Sequence, residues 1–336
     1  MTIFKKRRVV ASLGSKIGML IALLALSSLF SACSGIRIEA ARTLGATGRS
    51  IALQTQQNIF ISDQEYLRAR DAEALLHGFG QTTSSKEYIE ILKIYENIHL
   101  ELTKRSIVFE KLADLYDAFG ELAGLDTGGQ TEKTLADLGG AIEEYSKQLN
   151  QTSPIYNDTT VVISKIGGLV AAEIQKKKIR EASIRIRARV EGIQELLGNS
   201  LVREQMTGFR EYLTSARKAS FILLWDQGLY DPTPLLNDFG AEAGLVTKKD
   251  AAAGIQPNTP LGDALVEVLA KRLEMKADLI KRSYDASLAS LAGLIAEHKK
   301  LEKGVPLDLT RLHAIAAELR NIVVLLSNVK ADISNK

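Results

Sequence analysis

The chain reads as all-α, an elongated antiparallel bundle of about seven helices, several of them about 30–40 residues long. Three observations predict this. Apolar residues recur at alternating steps of three and four along much of the chain. No sustained period-two alternation competes with them. All six prolines fall between the periodic segments, where a missing N–H and a rigid ring do no harm.

The clearest seam runs over residues 88–123: Tyr88, Ile91, Tyr95, Ile98, Leu102, Arg105, Phe109, Leu112, Tyr116, Phe119 and Ala123. Arg105 is its one charged member. At 1.5 Å per residue it spans about 50 Å of helix. Ser84 and Ser85 can cap its start, and Gly120 and Gly124 mark its end. Leu135, Leu138, Ile142, Tyr145 and Leu149 make a shorter helix that closes before Pro154. Residues 161–197 begin apolar and turn basic. After the turn at Gly198, Asn199 and Ser200, the stripe Met206, Phe209, Leu213, Ala216, Ser220, Leu223 runs to about Gly228. Past Pro260 comes a long seam: Leu273, Ala277, Ile280, Tyr284, Ser287, Leu291, Leu294, His298 and Leu301. Past Pro306 the last is Leu312, Ile315, Leu319, Ile322, Leu326, Val329 and Ile333. Stripes this long need burial to hold helices in water.

The first residues have a different character. Lys5, Lys6, Arg7, Arg8 and Lys16 precede an apolar run over 17–26, and small residues follow: Ser27, Ser28, Ser31, Ala32. A basic start, a short apolar core and small residues before a cut site compose a signal peptide. The apolar run is short for ~30 Å of hydrocarbon, which argues against a permanent span. The stretch Leu29-Phe30-Ser31-Ala32-Cys33 resembles the lipobox of bacterial lipoproteins. Ser31 and Ala32 fit that pattern, while Phe30 occupies the place of its leucine and Leu29 lies one position early. The resemblance covers residues 1–33. It implies cleavage before Cys33, acylation of that thiol and attachment to a membrane. Ser34 after the cysteine implies, within that family, sorting to the periplasmic face of the outer membrane in a Gram-negative cell. Cys33 is the single cysteine, and a lone thiol in an oxidising compartment is a liability unless it is used. The competing possibility is an ordinary cut after Ser34.

Four parts follow: a signal peptide over 1–32, a helical bundle over 33–229, a long Pro/Gly-containing loop over 230–261, and a C-terminal helical hairpin over 262–336 packed on the bundle. The loop carries four prolines, and loops of that length in a compact domain are often functional. Residues 235–239 can add a short helix within it. No tandem repeat at a fixed period is evident.

Composition narrows function. The formal net charge is +3, but the leader holds five basic residues and no acidic ones, which leaves −2 for the mature chain. That excludes a basic nucleic-acid binder by global charge, and the basic stretch lacks interleaved aromatics. Glu96-Asn97-Ile98-His99 has the Glu-x-x-His form of di-iron bundles. Such a site needs two of these motifs and two further Glu, and one occurs here, so chance surface spacing is the preferred reading. His77, His298 and His313 form no His-Glu-x-x-His, and His298, on a seam, reads as a satisfied buried histidine. Gly128-Gly129, Gly139-Gly140 and Gly167-Gly168 lack the context of a phosphate loop and read as turns or close helix contacts. No cofactor is expected. Trp225, at a helix end, reads as a core residue closing the bundle, with a cleft shared with Tyr230 as the alternative.

Residues 161–197 hold the most suggestive surface. Ile179, Ala182, Ile186, Val190, Ile193 and Leu197 form one stripe. Lys176, Arg180 and Arg187 lie beyond one edge, and Lys178, Arg185 and Arg189 along the other, as in helices that lie on lipid. Charges flanking a buried seam also pair with neighbouring helices, which is the preferred reading. Three functions are expected in order: a lipid-anchored, non-enzymatic envelope module holding an unidentified envelope partner; a membrane-active or lipid-binding protein using 161–197; and an enzyme with an unfamiliar site near the 230–260 loop. The oligomeric state stays open.

Overall fold

The computed structural model describes residues 38–80, 85–123, 128–152, 171–232, 234–237 and 256–329. Cys33 and the leader, residues 161–170, most of the 230–261 loop and Ile333 lie outside them. Among the described residues there are seven long helices and no strand. They are α1 (Ile38–Gly78), α2 (Ser85–Leu122), α3 (Gly128–Gln148), α4 (Ala171–Leu197), α5 (Ser200–Asp226), α6 (Pro260–Glu302) and α7 (Thr310–Asn328). A helical turn at 234–237 stands where a short helix was expected.

Local chemistry explains several ends. Asn199 caps α5, its side chain accepting from Leu201 N at 2.8 Å. Thr259 caps α6 by accepting from Gly262 N at 3.1 Å, with Pro260 in the first turn. Beyond α5, Gly228 takes φ 68°, and beyond α6, Gly304 takes φ 67°. Both conformations suit glycine and let later amides cap the last carbonyls, Leu229 N to Leu224 O and Val305 N to Lys300 O.

The seams behave as their spacing predicts. From Tyr95 to Ala123 every α2 seam residue is buried, Arg105 included, while Tyr88 and Ile91 are half-buried. All nine seam residues of α6, from Leu273 to Leu301, are buried. On α7 the seam is buried from Leu312 to Leu326.

The helix with the least apolar period, α1, packs against α2, α4, α5, α6 and α7. Its buried face mixes Leu44, Ile51 and Tyr66 with Thr47, Thr55, Asn58, Ser62, Asp63 and Glu65. It runs antiparallel to α2. Gly45 lies against Gly120 near the start of α1, and Asp63 meets His99 farther along. A Cβ on Gly45 would sit 2.8 Å from the Gly120 Cα, so glycine is what permits this approach. α6 and α7 pack on each other and on α1, and α6 also packs on α4 and α5. The main core runs through α1 to α7. A second cluster at the far end joins Phe221 and Trp225 to Leu235, Leu265, Leu269 and Leu273.

Candidate functional site

The basic stretch of α4 divides in two. Gln175 Nε2 donates to the carbonyls of Leu122 and Ala123 at 3.3 Å, which sets the start of α4 beside the end of α2. Lys176, Lys178 and Arg180 therefore lie at the end of the bundle where α1 begins, five residues after Cys33. Lys176 pairs along its own helix with Glu173 at 2.8 Å. Arg180 is exposed and Lys178 half-buried.

The second half of the stretch serves the bundle. Arg185 meets Glu132 of α3 at 2.5 Å, and both side chains are mostly covered. Arg187 bridges Glu302 of α6 at 2.9 Å and Glu191 of its own helix at 3.0 Å. Arg189 lies against Gly139 of α3, where a Cβ would be 3.4 Å from its guanidinium. Gly139 thus makes a close helix contact. Pairing between helices accounts for Arg185 and Arg187 without recourse to lipid.

Three buried polar clusters hold the interior. Glu101 Oε1 accepts from Arg105 Nε at 2.9 Å, Arg105 Nη2 at 2.6 Å and Tyr145 Oη at 2.6 Å. The guanidinium also stands 5.9 Å from the Tyr284 ring centroid. Burial pushes the Tyr145 phenol well above its ordinary range, so it donates. In the second cluster, Glu65 of α1 collects Arg68 at 2.7 Å, Arg217 of α5 at 2.6 Å and Lys276 of α6 at 3.0 Å. In the third, His298 is fully buried, with Tyr116 Oη 3.1 Å from Nε2 and Ser183 Oγ 2.8 Å from Nδ1. Burial, helped by the charge of Arg187, lowers its pKa to about 3. The ring is neutral, so one nitrogen donates and the other accepts.

Of these groups, Arg105 and His298 are visible in the sequence as polar members of apolar seams. Glu65 is not. The signal that reveals it is its spacing from Asn58, Ser62 and Ala69, a seam composed mostly of polar side chains.

The other sequence candidates resolve plainly. Glu96 is exposed, and His99 Nδ1 lies 2.7 Å from Asp63 Oδ1. Burial raises the Asp63 pKa, and His99 opposes that shift. Among the described residues, no group of three or more His, Cys, Asp or Glu is placed to hold a metal ion. Trp225 is buried, its ring 5.5 Å from Phe221, which stands 4.8 Å from Tyr230. These rings close the far end of the bundle. Among the described residues, no helix is long and apolar enough to cross a membrane.

Among the described residues, two surface grooves stand out. One, of about 490 Å³, lies between the start of α1 and the 304–310 connection, near His313. The other, of about 650 Å³, lies between α2, the end of α3 and the start of α5. Comparison of the chain with protein-family models, with characterised proteins and with solved structures finds no match.

Proposed function

We propose that this chain is a lipid-anchored, non-enzymatic cell-envelope protein whose helical bundle is an interaction or structural module. The observation that carries the reading is the N-terminal pattern: a basic start, a short apolar run, and Ser31-Ala32 before the sole cysteine, Cys33. The bundle supports it by its construction. Its α1 begins at Ile38, so a lipid on Cys33 would hang from the end of the bundle through a connection of four residues. Sorting to the periplasmic face of the outer membrane and capture of an envelope partner belong to the same proposal.

The test compares the native protein with Cys33→Ala by intact mass and membrane fractionation. The reading expects a lipid mass on Cys33 and partition with membrane, both lost in the variant. A native protein that is acyl-free and soluble in the periplasm overturns it.

A second reading, binding of lipid headgroups through the start of α4, is favoured by one observation. Lys176, Lys178 and Arg180 cluster at the end where α1 begins, while Arg185 and Arg187 are committed to Glu132 and Glu302. Cation clusters next to an anchor strengthen attachment to anionic bilayers. Binding of the acyl-free protein to anionic vesicles at low salt, weakened by Arg180→Glu, is the expected result; no binding removes this reading.

A further inference from the structure

The larger groove combines an apolar lip with two buried acceptor oxygens that have no donor. At about 650 Å³ it has the size of small-molecule sites, which run from roughly 300 to 1,000 Å³. Ile94 and Leu201 stand at its lip, 40% and 42% exposed although both are large and apolar. Ile98 and Leu149 line it further in and are buried.

Glu101 and Gln205 also line the groove. Glu101 is 1% exposed. Its Oε1 takes all three donors from Arg105 and Tyr145, while Oε2 is buried with no hydrogen-bond partner. Gln205 Oε1 is buried in the same condition. Folded proteins satisfy nearly all such atoms, because stripping water from an acceptor without replacing it is unfavourable, most of all for a carboxylate. Two orphaned acceptors on one groove call for a donor from outside the chain.

Charge selects the kind of donor. Of the charged side chains lining the groove, Glu101 is paired with Arg105 at 2.6 Å and Lys147 is held by Glu143 at 2.8 Å and Glu144 at 3.1 Å, which leaves the exposed Glu204 as the remaining charge, a negative one. The groove therefore favours a cation.

We propose that this groove binds an organic ammonium ion with an apolar body. The ammonium donates to Glu101 Oε2 and Gln205 Oε1, and the body covers Ile94 and Leu201. Because both oxygens are closed to solvent, the half-buried Gln205 side chain turns to admit the head group. The site does not depend on acylation of Cys33.

Calorimetric titration of the full-length chain with cyclohexylammonium chloride tests it, with cyclohexanol as the neutral body. The expected result is saturable one-to-one binding of the ammonium, with the alcohol at least about tenfold weaker. Leu201→Lys sets a competing cation on the exposed lip and should abolish binding. Ile184→Lys, at an exposed apolar position of α4, should leave it unchanged. If Leu201→Lys fails to fold by circular dichroism, Ile94→Lys on the other lip carries the same test. No saturable binding, equal binding of the alcohol, or undiminished binding in the lip variant overturns the proposal.

Discussion

Lys276 Nζ and Glu65 Oε1, 211 residues apart in the chain, meet at 3.0 Å with side chains that are each 3% exposed. The pair ties α6 to α1, and Arg217 at 2.6 Å ties α5 to the same carboxylate. Buried ions of this kind gain from one another only while all partners are present.

Glu65→Gln leaves the buried Lys276 and Arg217, with the half-exposed Arg68 beside them, facing a neutral amide. It should lower the unfolding free energy by about 3–5 kcal/mol, the usual result of breaking a buried pair. Urea unfolding followed by circular dichroism measures this. A loss below about 1 kcal/mol, the scale of a surface pair, would show that the carboxylate is solvated in solution.

The glycines of α1 and α3 should respond to alanine with opposite signs. A Cβ at Gly45 would lie 2.8 Å from Gly120 Cα and 2.9 Å from the Tyr116 carbonyl oxygen, so two backbones must separate. Gly45→Ala should cost about 1–3 kcal/mol, as overpacking does. Gly140, exposed in α3, has nothing within 4 Å of a built Cβ. There Gly140→Ala should stabilise by about 0.5–1 kcal/mol by removing backbone freedom from the unfolded chain. Thermal melts of the two variants would contradict the close crossing of α1 and α2 if both moved upward.

His298 makes stability depend on pH. Its folded pKa is lowered to about 3, whereas an unfolded histidine titrates near 6.5. The unfolded chain therefore binds a proton that the folded chain refuses. Its contribution is fully present above pH about 6.5 and is lost as pH falls towards 3, at up to about 1.4 kcal/mol per unit. Asp63 has the opposite sign, because its raised pKa favours the folded state as carboxylates protonate. Comparing wild type with His298→Gln between pH 7.5 and 5 isolates the imidazole. The variant should be less stable at neutral pH and flatter in its pH response; equal slopes would place His298 in contact with water.

Arg185 and Arg180 separate structural charge from surface charge. Arg185→Glu opposes Glu132 across a mostly covered interface and should lower the melting temperature. Arg180 is exposed, and Arg180→Glu should change stability by less than about 0.5 kcal/mol. Any vesicle binding lost in Arg180→Glu is then a surface effect, whereas loss seen in Arg185→Glu alone reports damage to the bundle.

Much of the fold was legible in the sequence because α2, α6 and α7 bury apolar side chains at regular spacing, and a 3.6-residue period shows such burial directly. The prolines, the Asn199 cap and the turn glycines mark boundaries through local backbone chemistry, which needs no tertiary partner. α1 escaped that reading. Its buried face interleaves Leu44, Ile51 and Tyr66 with Gly45, Thr47, Gly48, Thr55, Asn58, Ser62 and Glu65, whose burial is tolerable only where other helices supply close contact or hydrogen bonds. Asn58, for example, donates to the Leu319 carbonyl of α7 at 3.1 Å.

The candidate sites divide in the same way. Cys33 and its small-residue approach are a linear pattern, so sequence alone states them. The basic residues of α4 were visible as charge, but which of them face solvent depends on where Glu132 and Glu302 come to rest, residues distant in the chain. The groove with Glu101 and Gln205 on its floor exists only once α2, α3 and α5 converge. Sequence by itself determined the apolar-seamed helices and their boundaries, because those follow from local periodicity and composition. Tertiary structure decided which polar groups are buried, which are paired and that Glu101 Oε2 and Gln205 Oε1 are left without a donor on one groove, because desolvation and hydrogen bonding depend on the neighbours that folding supplies.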